Sequence, residues 1–266
     1  MGKGIVVRDI RQAAGALIIG AAFLVVGAGA PATAAEIKVI AGSAVTPVMS
    51  QLIAPFERST GHKVRSDFDG AIGEMTERLR KGEAADVAIV SGAQIELLTR
   101  EGKVLAGSRV DLAKVGVGVF VREGAVKPDI GSVEAFKRAM RAAKSIGYND
   151  PAAGAPVSLY LIELFERLGL AADMKPKTVA FKQRSERFEA VARGDVEIGF
   201  NQISEIVVAS GVDLVGPLPP EIQRYTLFAS GIVANGKQPE AGKAFVASIA
   251  SPQARSVWTA KGFETP

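Results

Sequence analysis

The stretch "KVIAGSAVTPVMSQLIAPFERSTGHKV", Lys38–Val64, sets the pattern that the rest of the chain repeats. A short apolar run, Val39-Ile40-Ala41, breaks at Gly42-Ser43, and an amphipathic segment then runs on to Gly61. This reads as strand, tight turn and helix. Thr46-Pro47 offers a capping hydroxyl followed by proline at the first helical position, and Gly61 offers a C-terminal stop. The turn between strand and helix carries only small and hydroxylated residues, as expected where a ligand approaches the backbone.

Working outward, further apolar runs predict strands over Glu36–Ala41, Lys63–Asp67, Val87–Ser91, Lys114–Val121, Ser145–Tyr148, Thr178–Phe181, Ile198–Ile203, Asp213–Pro217 and Leu227–Val233. Amphipathic segments between them predict helices over Pro47–Thr60, Gly73–Lys81, Ile95–Glu101, Val133–Ala143, Ala155–Leu168, Ser185–Arg193, Gln238–Ile249 and Pro252–Lys261. Ser132 and Ser251 stand where helix caps belong, and Gly82, Gly102 and Gly169 stand where helices stop. Strands alternating with helices define an α/β class. No solenoid-period repeat and no low-complexity linker interrupts the pattern.

The chain has 266 residues, of which 48% are hydrophobic, enough to bury a sizeable core. It contains no cysteine, which excludes disulfides, thiolate metal sites and a lipid anchor on cysteine. The start differs in character from the rest. Lys3, Arg8 and Arg11 precede an uncharged apolar run, Ala13–Ala30, and then Ala32-x-Ala34 supplies a small-residue cleavage signal. Residues 1–34 therefore read as a secretory signal peptide, with a retained membrane anchor as the runner-up. The formal charge is +4, of which Lys3, Arg8, Arg11 and Asp9 account for +2. The remainder is too weak a positive charge to support nucleic-acid binding, and export also argues against it.

Three strand-to-helix junctions share one chemistry: Ala41–Thr46, Phe68–Gly73 and Tyr148–Gly154. Each sets small or polar residues ahead of a helix start, where unpaired N–H groups and the helix dipole favour an anion. In open α/β sheets ligands also gather at the carboxyl ends of strands. The competing reading for each junction alone is ordinary fold punctuation.

Segment by segment, the chain resembles the periplasmic molybdate-binding proteins of ABC transporters. "EIKVIAGSAVTPVMSQLIAPFERSTGHKV" resembles their opening, and "GEAADVAIVSGAQIELLTREGKV", with Ala85-Asp86-Val87, their second strand–helix unit. "SIGYNDPAAGAPVSLYLIELFERLGL" and "GDVEIGFNQISEIVVASGVDLVGPLP" resemble parts of the second lobe, and "PEAGKAFVASIASPQARSVWTAKGF" the closing helices. The resemblance implies a two-lobed periplasmic binding fold, with residues 35–115 plus 229–266 as one lobe and 116–228 as the other. Two crossing strands join the lobes, and the ligand is held between them.

The departures from that family decide the expected ligand. A family serine is replaced by Ala44, with Ser43 one residue earlier; the serine-rich turn is Asp69-Gly70-Ala71-Ile72-Gly73; and a family tyrosine matches Gln202. A tetrahedral oxyanion needs converging O–H and N–H donors, each charge-assisted bond contributing roughly 1.5–3 kcal/mol. The remaining set is Ser43, Thr46, Gly70, Ser91, Asn149, Gly154, Ser158, Asn201, Gln202 and Ser204. Amide side chains both donate and accept, which suits a di- or tricarboxylate better than a compact oxyanion. Arg184, in "FKQRSER", is a candidate carboxylate clamp, with a solvated helix-start arginine as the alternative. Asp69 reads as a cap for the next helix, His62 as an exposed turn residue, and Trp258 and Phe263 as core packing.

No HExxH, EF-hand, Walker loop or GxGxxG after a strand is present, and neither metal nor cofactor is expected. Two functions follow from the resemblance. One is capture of a small organic anion by a monomeric solute-binding protein serving an ABC importer permease. The other is that of the periplasmic aconitate isomerases, which resemble the same family and move an allylic proton without a cofactor. The isomerase needs a base, and Asp69, Asp150, Glu205 and Tyr148 are the nearby candidates.

Overall fold

A computed structural model describes Met1, Gly2, Gly4 and residues 34–153 and 155–265. The signal-peptide reading falls outside the described residues apart from Met1, Gly2, Gly4 and Ala34, and Gly154 also lies outside them. Two units divide the chain, Met1–Ala32 and Thr33–Pro266, and the architecture that follows is that of the second.

Among the described residues nine strands form it: β1 (Glu36–Gly42), β2 (Lys63–Gly70), β3 (Val87–Ser91), β4 (Val110–Arg122), β5 (Ile146–Asn149), β6 (Thr178–Phe181), β7 (Ile198–Gln202), β8 (Val212–Pro217) and β9 (Tyr225–Ile232). The helices are α1 (Thr46–Thr60), α2 (Ile72–Arg80), α3 (Gly92–Arg100), α4 (Val133–Ala142), α5 (Pro156–Arg167), α6 (Ala171–Met174), α7 (Arg184–Arg193), α8 (Ile203–Ile206), α9 (Pro239–Ile249) and α10 (Pro252–Ala260). The strands run in the order β2-β1-β3-β9-β4-β7-β5-β6, with β8 also paired to β4. β1 is parallel to β2 and β3, and β5 is parallel to β6 and β7, whereas β9 and β4 run antiparallel to their neighbours. The fold is thus a mixed α/β two-lobed periplasmic binding fold.

β4 is the element shared by both halves. Its first part, Val110–Gly116, pairs with β9; its second part, from Val117, pairs with β7 and β8. The change of partner is clipped by one side chain. Gln223 accepts from the Val117 N–H through Oε1 at 2.9 Å and donates to the Val117 carbonyl through Nε2 at 3.0 Å. Glycine at 116 leaves room for this clip, since a Cβ would lie 2.9 Å from the Gln223 Nε2 and push the amide aside.

The buried apolar residues divide accordingly. One cluster gathers β1, β3, the start of β4, β9 and the packing faces of α1, α2, α3, α9 and α10. A second gathers the end of β4, β5, β7, α4 and α5, and a smaller third sits under α7 around Phe120, Phe188 and Val191. Trp258 and Phe263 meet edge-on at 4.9 Å in the first cluster, and the Trp258 Nε1–H donates to the Ile249 carbonyl at 2.9 Å. Asp86 is buried because its carboxylate accepts the N–H groups of Lys38 and Gln238 at 2.8 and 2.7 Å, tying β1 to the start of α9.

Three local expectations are corrected. Thr46 does not cap α1: the chain enters that helix through a 3₁₀ turn, Ser43–Val45, so Thr46 is already helical and its hydroxyl donates to the Phe68 carbonyl at 3.4 Å. Asp69 does not cap α2, whose N-cap is Ala71, one residue too far along for the Asp69 side chain to serve. His62 is buried, not exposed, since its Nδ1 accepts from the Ala35 N–H at 3.1 Å and its ring lies against Phe56. Ser132 and Ser251 cap α4 and α10 as expected, and Gly61 takes the left-handed φ of 75° that ends α1.

On the flank of the first half, Glu83 accepts from Arg78 and from Lys38, both contacts at 2.7–2.8 Å, and Arg78 also reaches Asp67. Arg78 foremost, then Lys38, holds the Glu83 carboxyl down at about 2. The folded value is depressed, so the stabilisation is full above the ordinary carboxylate range and disappears as pH falls through about 2. Glu83→Gln should lower the unfolding midpoint at pH 7 by about 2–4 °C and flatten its decline between pH 5 and 2, measured by calorimetry.

Candidate functional site

The carboxyl ends of β1, β2, β5 and β7 open on one cleft. Its outer part is a cavity of about 730 Å³, lined by Ser43, Asp69, Gly70, Ala71 and Glu74 on one side and by Asn149, Lys182, Gln183, Ser185 and Phe188 on the other. Its floor is a space of about 20 Å³ among Ser43, Ala44, Ala71, Asn149, Asn201, Gln202 and Glu205. A volume that small holds one water or one ligand oxygen.

The bareness of the turns has two causes. At Gly42 a Cβ would sit 2.7 Å from the Ile72 Cγ1, and at Gly70 it would collide with Met75 and meet the Glu74 Oε2 at 3.0 Å. Those glycines make room for side chains of α2. Ala44 is buried at the floor. Ser43, between them, remains half-exposed and faces the cleft.

The floor is polar and incompletely paired. Asn201 and Gln202 end β7 and are buried, held there by pairing of β7 with Val117 and Gly118 of β4. Neither Asn201 Nδ2 nor Gln202 Nε2 has a hydrogen-bond partner, nor has the buried Oδ1 of Asn149. Ser158, in the first turn of α5, and Ser204, in α8, are fully buried and their hydroxyls are also unpartnered. Buried polar groups without partners are uncommon in folded proteins, and a group of them around one cleft indicates a ligand that completes them. Glu205 joins this floor with 4% exposure. Its Oε1 accepts from the Ser43 hydroxyl at 3.0 Å, a bond that spans the cleft between residues 162 apart in sequence.

The expected site residues separate into groups. Ser43, Gly70, Asn149, Asn201 and Gln202 line the cleft, and Ser158 and Ser204 lie buried on helices that begin beside it. Thr46 is elsewhere, on a small cavity with Ser50 and Lys261. Ser91 caps α3 by accepting from the Gln94 N–H at 3.4 Å and lines a separate cavity of about 430 Å³ with Arg109 and Arg224. Arg184 begins α7, and only its backbone is described. The helix expected from Ser185 starts one residue earlier, at Arg184, and it turns Arg187 inward, fully buried, with its guanidinium 5.1 Å from the Phe188 ring centre. Helical spacing from Arg187 to the buried Val191 was the available signal.

A family model described as "Bacterial extracellular solute-binding protein" matches residues 37–264. A relative from Pseudomonas sp named "Aconitate isomerase" is 32% identical over 250 residues, covering 90% of this chain and 91% of its own. "Molybdate-binding protein ModA" of Azotobacter vinelandii is 29% identical over 239 residues, covering 87% of this chain and 91% of its own. Among solved structures, the periplasmic molybdate-binding protein of Azotobacter vinelandii superposes with a TM-score of 0.73 at 20% identity, over 87% of this chain and 100% of that one.

Because Asn201 Nδ2 and Gln202 Nε2 bond nothing in the protein, Asn201→Ala and Gln202→Ala should leave the unfolding midpoint within about 2 °C of the parent. A ligand completed by these amides should raise the midpoint less in both variants than in the parent, as thermal-shift titrations would show.

Proposed function

The chain belongs to the bacterial extracellular solute-binding proteins, and on that premise we propose that it captures a small di- or tricarboxylate by closing two lobes, 35–115 plus 229–266 and 116–228, around it. The supporting observation is the floor of unpartnered amides. Asn201 and Gln202 offer N–H donors to carboxylate oxygens, and the Asn149 Oδ1 offers an acceptor for a ligand hydroxyl or a protonated oxygen. Contacts from both lobes stabilise the closed state over the open one. Export through the signal peptide, a monomeric state and delivery to an ABC permease complete this reading.

Molybdate fits the same floor poorly. The Ser43 hydroxyl already donates to Glu205, and no hydroxyl stands at Ala44 or in the Gly70 turn. The relatives that carry molybdate-binding names share the scaffold with this chain.

One observation favours a second reading, in which the captured tricarboxylate is also isomerised. The relative named "Aconitate isomerase" aligns over nearly the whole chain, and a buried carboxylate occupies the floor of an anion cleft. In that reaction an allylic proton moves and the double bond shifts by one carbon, with no cofactor.

Thermal shift with a panel of citrate, cis- and trans-aconitate, smaller dicarboxylates and molybdate tests capture. The polycarboxylates should raise the midpoint by several degrees and molybdate should not. Nanomolar calorimetric binding of molybdate with no response to carboxylates would overturn the reading. Mass spectrometry of periplasmic protein should find the mature chain starting at Ala35 or Glu36, and an intact Met1 chain in the membrane fraction would contradict export.

A further inference from the structure

The isomerase reading needs a group that moves a proton, and Glu205 is the candidate that stands on the cleft floor. It is carried on α8, immediately after the amide pair, and faces the floor beside Asn149, Asn201 and Gln202.

The other acidic or hydroxylic candidates do not line that floor. Asp69 is exposed in the outer cavity. Asp150 accepts from the Ala152 N–H at 2.9 Å, within its own turn. Tyr148 lines a different cavity, with Ile162, Phe165 and Met174. Glu205 alone among the four candidates is buried on the cleft floor, and it alone is held from the opposite wall, by the Ser43 hydroxyl.

We propose that Glu205 is the catalytic group that moves the proton in an allylic isomerisation of a tricarboxylate, and that Ser43 is a positioning residue that aims its carboxylate across the cleft. This rests on the isomerase reading of the site. The Glu205 carboxylate takes a proton from the methylene carbon beside the substrate's double bond. The electron pair of that C–H bond becomes the new double bond to the central carbon, and the old π pair moves to the former vinyl carbon. That carbon takes the proton from the now neutral Glu205 carboxyl, forming one C–H bond for the one broken. Nothing is oxidised or reduced, and the enzyme ends as it began. Between the two transfers the substrate carries an extra negative charge, spread onto its carboxylates, where the Asn201 and Gln202 N–H donors stabilise it. Glu205 is neutral during that interval and holds the proton that the substrate takes back.

Ser43 acts through Glu205. Its hydroxyl fixes Oε1 in a cleft where carboxylate and carbon must meet within narrow limits of distance and angle. Its loss therefore lowers turnover more than substrate affinity.

The experiment is the conversion of cis- to trans-aconitate, followed by proton NMR, for the full chain and for Glu205→Gln, Glu205→Asp, Ser43→Ala and Ser43→Thr. Unfolding midpoints with and without trans-aconitate are measured alongside. Glu205→Gln should lower kcat by at least about 100-fold while trans-aconitate still raises its midpoint, and Glu205→Asp should keep part of the activity. Ser43→Ala should lower kcat by about tenfold with KM within twofold of the parent, and Ser43→Thr should restore most of the loss. Parental kcat in folded Glu205→Gln overturns the assignment of Glu205 and leaves the isomerase reading standing. A rise in KM at constant kcat in Ser43→Ala makes Ser43 a ligand contact and overturns its positioning role. A parent chain that binds trans-aconitate without converting cis-aconitate overturns the isomerase reading and this assignment together.

Discussion

The double membership of β4 is the constraint on which the rest of the molecule depends. One thirteen-residue strand pairs with β9 over its first part and with β7 and β8 over its second, so both hydrophobic cores are built against it. Backbone hydrogen bonding has to be continuous through the change of partner, because an unpaired N–H or C=O at that point would be costly if buried. The backbone groups of Val117 meet the Arg224 carbonyl and the Leu218 N–H there, the Gln223 amide adds a bond to each, and glycine at 116 leaves it the room. The direction of β4 then determines where β7 ends, and with it where Asn201, Gln202 and α8 stand relative to the Ser43 turn.

The cleft is consequently a place where strand ends from both halves meet without completing one another's hydrogen bonds. Burial without partners costs stability, and such groups persist where a ligand supplies the missing partners. The chemistry of the floor is mixed, with amide donors, an amide acceptor, a buried carboxylate and the hydroxyl that holds it. The bond from Ser43 to Glu205 also crosses from one wall to the other.

Much of the architecture was legible in the residues. The Val39–Ala41 and Val87–Ser91 runs became strands, the alternation with helices gave the α/β class, and Gly61, Ser132 and Ser251 ended or capped helices as their chemistry requires. Asn149, Asn201 and Gln202 were recognisable as polar residues at strand ends. What misled were residues whose role depends on a neighbour distant in sequence. His62 looks like a turn residue until the Ala35 N–H is placed against its ring. Gly42 and Gly70 look like ligand cradles until Ile72, Met75 and Glu74 of α2 are seen to need the space. Thr46 looks like a cap because a 3₁₀ turn ahead of a helix leaves no mark in the local pattern.

The sequence by itself therefore determined the elements, their order and the polar character of the strand ends, since these follow from periodicity and turn chemistry within a few residues. Only the tertiary structure decided which of those ends meet. Ser91 and Thr46 were turned to other cavities, Arg187 was drawn inside, and Glu205 was buried on the cleft floor against Ser43. The physical reason is that burial and hydrogen-bond pairing across 162 positions are properties of the packed chain, and no local pattern records them.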